Sequence, residues 1–203
     1  MITEYKTIKK SSEGIYKEKG SKFLAYAFNV NTEEEIAEKL LEIRCLHPKA
    51  RHHCYGYRIG VGQTEKYRAN DDGEPSSSAG KPIYGQLLSF EITNALVVVV
   101  RYFGGTKLGV GGLITAYKSA TKDALENNEI VTCELRNFYK VNFDYLVMSN
   151  VMNIIKTKEV EITKQVFEEA CEIIFSVSLP FSDSITQKLE KIEGVEVLFL
   201  EVG

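Results

Sequence analysis

Residues 70–117 read NDDGEPSSSAGKPIYGQLLSFEITNALVVVVRYFGGTKLGVGGLITAY, and this stretch decides the fold. Its first part, Asp71–Pro75, predicts a turn, because glycine and proline interrupt regular structure and aspartate favours turns. Serines typical of helix N-caps follow, and Ala79–Phe90 then carries apolar residues at a helical spacing. Ala95–Val100 is an unbroken aliphatic run rich in valine, which predicts a strand covered on both faces.

A glycine-rich loop over residues 104–112 follows this strand and leads into a helix predicted from about Leu113 to Asn127. Strand, glycine loop and helix in that order present backbone N–H groups and a helix dipole to an anion. The loop matches neither common nucleotide motif, because Val110 stands where the P-loop needs lysine and Ile114 where the dinucleotide fingerprint needs glycine. Alternatively, the glycines only let a tight crossover pack against the sheet, and both interpretations stay open. The candidate residues for phosphate or nucleic-acid contact are Arg101, Gly104, Gly105, Lys107, Gly109, Gly111 and Gly112.

The same region resembles the signature of the IMPACT/YigZ family, and many matching residues follow one another in the family's order. They are Asp71-Asp72-Gly73-Glu74-Pro75-Ser76, Ala79-Gly80, Pro82, Val97-Val98-Val99-Val100-Arg101-Tyr102-Phe103-Gly104-Gly105, Lys107-Leu108-Gly109, Gly111-Gly112-Leu113 and Ala116-Tyr117. The sequence departs from the family pattern at Ser77-Ser78, where Gly-Thr is usual, and at Thr115, where arginine is usual. The second change removes a positive charge beside the glycine loop.

This resemblance implies an α+β protein with an N-terminal ribosomal protein S-five domain 2-like domain and a smaller ferredoxin-like C-terminal domain. That pair is similar to domains IV and V of elongation factor G. The resemblance also implies a link to translational regulation, and it brings no established catalytic residues.

Hydrophobic periodicity organises the remainder of the chain. The first thirty residues predict two strands around a turn at Ser11–Gly14. A helix is predicted after Asn31 or Thr32, and a strand over Ala50–Ile59. Beyond Asn128 glycine becomes rare, and the pattern predicts the ferredoxin-like order βαββαβ with a turn at Glu168–Glu169. We therefore predict two domains, residues 1–133 and residues 136–203.

Composition limits the classes of function. The chain has 203 residues and a net charge of −3, with +2 on residues 1–133 and −5 on residues 134–203, which is no strong nucleic-acid signature. Because no apolar run is long enough to span a bilayer and residues 1–30 lack a signal-peptide layout, we expect a cytoplasmic protein without membrane contact. The four cysteines form no CxxC pair and are expected to be reduced thiols.

Two clusters contain atoms that bind metals. Asp71, Asp72 and Glu74 form a possible acidic site for a divalent cation, although such clusters also occur as turns whose aspartates bond nearby backbone N–H groups. Zinc-type atoms occur within ten residues, but their spacing fits no usual finger and a strand sends adjacent histidines to opposite faces. We therefore predict no zinc at this second cluster, which consists of Cys45, His47, His52, His53 and Cys54. For the protein as a whole we predict no bound metal and no cofactor.

A basic and aromatic segment covers residues 44–68, with six Lys or Arg, three His and only one acidic residue. Stacking on bases and contact with phosphates need such a mixture on an exposed face, whereas the alternative is an ordinary solvated strand. Arg51, Tyr55 and Arg58 are the candidates to extend the binding surface. Alternation along the strand places Arg58 opposite the other two.

The sequence favours a cytoplasmic, translation-associated regulator that binds RNA, the ribosome or a translation factor and has no catalysis of its own. One alternative is an enzyme acting on a phosphate-bearing small molecule or nucleotide. Another is a protein-interaction module that uses the ferredoxin-like sheet. The sequence does not determine the oligomeric state.

Overall fold

A computed structural model describes residues 2–168 and 170–203. The chain forms two compact units, Tyr5–Cys133 and a second that joins Glu134–Gly203 to the short segment before Tyr5. Helices and strands occur in both units, so the α+β class is confirmed. The domain limits 1–133 and 136–203 stay a prediction, and the predicted Glu168–Glu169 turn includes Glu169, which lies outside the described residues.

The first unit is built on a five-stranded antiparallel sheet with strand order β2-β3-β6-β4-β5. Helices α2 and α3 pack on one face of this sheet and α1 on the other, and β1 pairs with β7 in a separate small sheet. The strands are β1 (Glu4–Ile8), β2 (Ser12–Glu18), β3 (Ser21–Asn29), β4 (His52–Ile59), β5 (Lys66–Asn70), β6 (Ala95–Tyr102) and β7 (Ile130–Glu134), and the helices are α1 (Glu33–Leu46), α2 (Gly80–Ser89) and α3 (Gly109–Glu126).

Strand β6 is the central strand, and residues 95–100 of it have no solvent exposure. Because side chains alternate across a strand, Val97 and Val99 pack beneath α2 and α3, while Val98 and Val100 pack beneath α1. The aliphatic run therefore has the doubly covered position that the sequence predicted. Helix α1 begins where expected, with the Thr32 hydroxyl accepting the Glu35 N–H at 3.2 Å.

The predicted turn at Ser11–Gly14 is wrong. Residues 12–14 lie in β2, and the tight turn is at Lys19 and Gly20, which have φ values of +46° and +79°. Glu18 pairs with Ser21, so two residues with positive φ connect the hairpin, as the right-handed twist of its strands requires. Serine and glycine suggested the earlier turn, but strand pairing outweighed that local preference.

The second unit has a four-stranded antiparallel sheet in the order β11-β8-β10-β9. The chain order is βαββαβ, and one face of the sheet packs against both helices, so the ferredoxin-like prediction is confirmed. No helix of the residues described here is long and apolar enough to cross a membrane. The elements are β8 (Arg136–Asp144), α4 (Met148–Ile155), β9 (Val160–Val166), β10 (Ala170–Ser178), α5 (Ser182–Glu190) and β11 (Glu196–Val202).

Candidate functional site

A cleft of about 740 Å³ lies in the first unit, between the end of β6 and the start of α3. The glycine loop brings the chain from the sheet to the helix along one side of this cleft. Four basic side chains and one carboxylate line it, namely Lys49, Arg51, Arg101, Lys107 and Glu74.

Arg101 and Glu74 form a buried ion pair with 2.6 Å between Nη1 and Oε1, and their side chains are only 9% and 4% exposed. The same carboxylate oxygen accepts the Tyr117 hydroxyl at 2.9 Å. Beyond it, Cys54 Sγ lies 3.3 Å from that hydroxyl, and burial raises the pKa of the Cys54 thiol to about 12. Burial also raises the pKa of Tyr117, so both groups stay protonated and the chain of contacts ends in neutral donors.

Arg101 also lies against two aromatic rings. Its guanidinium carbon is 5.5 Å from the ring centroids of both Phe23 and Phe103, a distance at which cation–π attraction operates. Phe23 is fully buried, whereas Phe103 is 59% exposed and lines the cleft. The Nε of Arg101 is buried and has no hydrogen-bond partner among the described residues.

The remaining cations carry the charge of the cleft. Lys49, Arg51 and Lys107 are exposed, and none of the three forms an ion pair with another residue of the described ranges. Because Glu74 is committed to Arg101, three positive charges of the lining are left without a carboxylate. An anion would bind in this cleft without displacing a carboxylate from these three cations.

Helix α3 adds its own positive end. Its N-cap residue is Leu108, and no side chain in the described part of the chain caps the first turn, which also holds no acidic residue. The first N–H groups of a helix have no partner within the helix and carry the positive end of its dipole. Gly109 and Val110 of that turn line the cleft, so a phosphate there would meet backbone donors in the same cleft that the three cations line.

The acidic residues that the sequence suggested as a cation site do not converge. Asp71 caps α2, because its carboxylate accepts the N–H groups of Ser77, Ala79 and Gly80 at 2.8–3.0 Å. Burial acts to raise the pKa of Asp71, but these three bonds outweigh it and hold the pKa below its ordinary value. The turn interpretation of this residue is therefore the one that the geometry favours.

Asp72 and Glu74 point to other partners. The Asp72 carboxylate accepts the Arg44 guanidinium at 3.0 Å and the His53 backbone N–H at 2.7 Å, while Glu74 belongs to the Arg101 pair. Within the ranges 2–168 and 170–203, no group of three or more His, Cys, Asp or Glu side chains is placed to hold a metal.

The histidines are held by separate contacts. His52 donates from Nδ1 to the Asp72 carbonyl at 2.9 Å, and His53 donates from Nε2 to the His47 carbonyl at 3.2 Å. His47 lies between the hydroxyls of Tyr26 and Tyr102, at 2.7 and 2.9 Å. Burial lowers the pKa of His47 and of His53, so both are neutral at pH 7.

Comparison with known proteins assigns the chain to a family. Residues 19–125, more than half of the chain, match the family model described as the Impact N-terminal domain. An IMPACT family member of Haemophilus influenzae is 33% identical over 91% of each chain. The IMPACT family member YvyE of Bacillus subtilis is 34% identical over 78% of this chain and 73% of its own.

The chain belongs to the IMPACT family.

A solved structure described as a hypothetical protein is also similar over 99% of each chain, with a TM-score of 0.74 and 23% identity, which supports the fold alone. In this IMPACT family chain the matched region contains every residue of the cleft lining. The cleft therefore lies within the part of the chain that matches the family domain and not in the ferredoxin-like unit.

The cleft of this IMPACT family chain brings together only some of the predicted site residues. Arg51, Arg101, Lys107 and Gly109 line it, together with Glu74 of the predicted acidic site. The glycines outside the lining are Gly104, Gly105, Gly111 and Gly112. Gly104 fits the packing interpretation, because an added Cβ would lie 1.9 Å from the backbone of the β2–β3 turn, whereas at Gly111 it would meet open space.

Three predicted roles need correction in this domain. Arg101 is not an open cation, because its charge is paired with Glu74. Tyr55 is 8% exposed and packs beneath α1, so its ring is not available to stack on a base. Arg58 pairs with Glu65 at 2.6 Å and lies six residues along β4 from His52, roughly 20 Å from the cleft at strand spacing.

Sequence reasoning missed Lys49 and Phe103 as members of the site. Lys49 lies just after the proline that follows α1, and only the three-dimensional structure shows that this position is beside the cleft. Phe103 gave a usable signal, because it is an aromatic residue between a buried strand and a glycine loop. At that position Phe103 is either a core side chain or an exposed ring beside the glycine loop, and the second possibility would have made it a candidate for the site.

Proposed function

We propose that this IMPACT family chain is a translation-associated, non-catalytic protein of the cytoplasm that binds RNA, with phosphate held at the start of α3. The observation that supports RNA is one cleft that combines the α3 N-terminus with three cations, where residues 2–168 and 170–203 supply neither a side-chain cap for the helix nor an ion-pair partner for the cations. Phosphate is the anion that such a combination of helix dipole, backbone N–H groups and lysine or arginine binds most commonly. The link to translation comes from the family resemblance and is part of the proposal.

The test is binding of a labelled single-stranded RNA 20-mer of mixed sequence, followed by fluorescence anisotropy over a salt series. Lys49→Gln, Arg51→Gln and Lys107→Gln each remove one charge and keep most of the side chain. Each lost phosphate contact is expected to lower the salt slope by about 0.7 and to weaken binding evenly across sequences. Lys118→Gln is the matched control, because this exposed lysine of α3 does not line the cleft.

Arg101 is unsuitable for this test. Arg101→Glu would place a second carboxylate against Glu74 inside the protein, and the variant would report on folding instead of on RNA. Unchanged salt slopes for all three exposed cations would remove the cleft from the account. Binding of a purified translation factor that survives high salt, with no RNA affinity, would favour the protein-partner alternative.

One observation favours the second candidate, an enzyme acting on a phosphate-bearing small molecule. His52 lines the same cleft, and its Nδ1 donates to the Asp72 carbonyl, so Nε2 is the ring nitrogen left for a ligand. An imidazole nitrogen beside an anion cradle is an arrangement that a general base uses. Magnesium-dependent nucleotide turnover that is lost in His52→Gln would establish this candidate, and absence of turnover by the parent would remove it.

A further inference from the structure

Phe103 is the exposed aromatic ring of the cleft. It follows β6 directly, is 59% exposed, and lies in the lining together with Lys107 and the first residues of α3. A large apolar ring loses favourable burial when it is left in water, so its exposed face is a surface that a flat ligand can cover.

The ring rests on a fixed support. Arg101 contacts Phe103 from the sheet, and Arg101 is in turn held by Glu74 and by the buried ring of Phe23. Phe103, Arg101 and Phe23 form a stack. Phe23 pairs with Arg101 across β3 and β6, so both residues beneath Phe103 belong to the central strands of the sheet. Because the stack is preformed, a ligand that covers the ring loses little entropy in ordering it.

We infer that the cleft binds single-stranded RNA by stacking one base on Phe103 while a phosphate of the same strand lies at the start of α3. The inference rests on the proposed function and specifies the form of RNA that the site takes. A nucleotide joins a flat ring to a phosphate, and the cleft offers an open ring beside an anion cradle. Its volume of about 740 Å³ is that of pockets enclosing a small ligand, which suits one or two nucleotides better than a helix of paired bases.

Duplex RNA does not satisfy the same geometry. Its bases are already stacked on one another, and proteins contact it through phosphates and 2′-hydroxyls across the shallow groove. Phe103 therefore takes the stacking role that sequence reasoning gave to Tyr55, which is only 8% exposed. Tyr67 is 63% exposed, but it does not line the cleft and its ring stacks on Tyr84.

The experiment compares three probes of equal length at one salt concentration: single-stranded RNA, the corresponding duplex, and a strand of abasic nucleotides that keeps the phosphates without bases. The parent should prefer the single strand to both other probes. Phe103→Leu keeps an apolar side chain without a π face, and it should weaken binding of the single strand by about 5- to 150-fold, the range for loss of one stacked base. Phe103→Tyr retains a ring and should bind like the parent.

Two further readouts separate stacking from electrostatics. Phe103→Leu should leave the salt slope unchanged, because no charge is lost, and should leave abasic-strand binding unchanged, because no base is present. Phe181→Leu is the matched control, since Phe181 is an exposed phenylalanine of the second unit.

The outcomes distinguish this inference from the proposal beneath it. Equal affinity for the duplex, or no effect of Phe103→Leu while Lys107→Gln still weakens binding, would overturn the stacking role and leave RNA binding in place. No affinity of the parent for any of the three probes would overturn the proposed function and this inference together.

Discussion

Replacing Glu74 with alanine removes the one carboxylate that neutralises Arg101 inside the first unit. The Arg101 side chain is 9% exposed, so the variant leaves a guanidinium largely buried without a counterion. Removal of one partner of a buried pair costs about 3–5 kcal/mol of unfolding free energy. The Tyr117 hydroxyl also loses its acceptor, which adds about 1–3 kcal/mol where water does not replace it.

Water in the cleft decides which end of this range applies. Arg101 lines the cleft, so solvent can reach part of the exposed guanidinium in the variant. We therefore expect a total loss of about 3–5 kcal/mol, which in a chain of this size corresponds to a fall in Tm of about 6–20 °C. Equilibrium unfolding in urea, followed by circular dichroism, measures the free energy directly.

Two comparison variants make the result specific. Glu42→Ala breaks the exposed Lys39–Glu42 pair and should cost no more than about 0.5 kcal/mol. Adding Arg101→Met to Glu74→Ala should destabilise the chain less than the sum of the two single changes, by about 0.5–3 kcal/mol, because no unpaired charge remains buried. A loss below about 1 kcal/mol for Glu74→Ala would refute the view that this pair is a buried, mutually dependent unit.

Three further predictions concern the first unit. The folded-state pKa of Asp71 lies below its unfolded value of about 3.9, so Asp71 stabilises the fold above that pH and the stabilisation is lost as pH falls through the folded pKa. Asp71→Asn should therefore reduce the fall of unfolding free energy at acid pH. An unchanged pH dependence would contradict the capping role. Iodoacetamide at pH 8 should label the exposed Cys45 and leave Cys54 unmodified until the chain is denatured, because the Cys54 thiol is buried and has a pKa of about 12. Peptide mass spectrometry measures the labelling of each cysteine. Labelling of both cysteines in the native chain would contradict the burial of Cys54. Gly104→Ala should destabilise the chain, because the added Cβ would overlap backbone atoms of the β2–β3 turn. At Gly111 the Cβ would meet open space, so Gly111→Ala should match the parent or raise the free energy of unfolding by up to about 1 kcal/mol. Equal Tm values for the two variants would refute the close approach of Gly104 to that turn.

Local pattern was enough to predict the scaffold of the site. The valine run of β6, the glycine loop and the amphipathic α3 each follow from residues that are neighbours in sequence. The start of α3 was predicted wrongly, because the helix begins at Gly109 and not near Leu113, so the last glycines of the predicted loop lie in its first turns. The βαββαβ unit likewise follows from periodicity within short windows. Such features depend on side-chain alternation and backbone freedom, which the sequence carries directly.

The chemistry of the site depends on partners that lie far apart in sequence. Arg101 and Lys107 look equivalent as two cations flanking a glycine loop, yet only Arg101 meets a buried carboxylate, 27 residues earlier in the chain. Tyr55 was placed correctly on its strand, but its face is covered by α1, which no pattern within β4 can report. Burial, and not residue type, distinguishes the exposed cations of the cleft from Arg101, which is paired with Glu74 and contacts the ring of Phe103.

The central position of β6 has a consequence for amide hydrogen exchange. Its residues 95–100 have no solvent exposure, and it pairs with β3 on one side and β4 on the other, so its N–H groups should exchange only when the whole unit opens. The glycine loop that follows is exposed over residues 104–107 and should exchange through local fluctuation. A ligand entering the cleft would therefore meet a rigid strand β6 and a glycine loop that can rearrange on the timescale of binding. The protection from exchange that RNA binding adds should be confined to the loop.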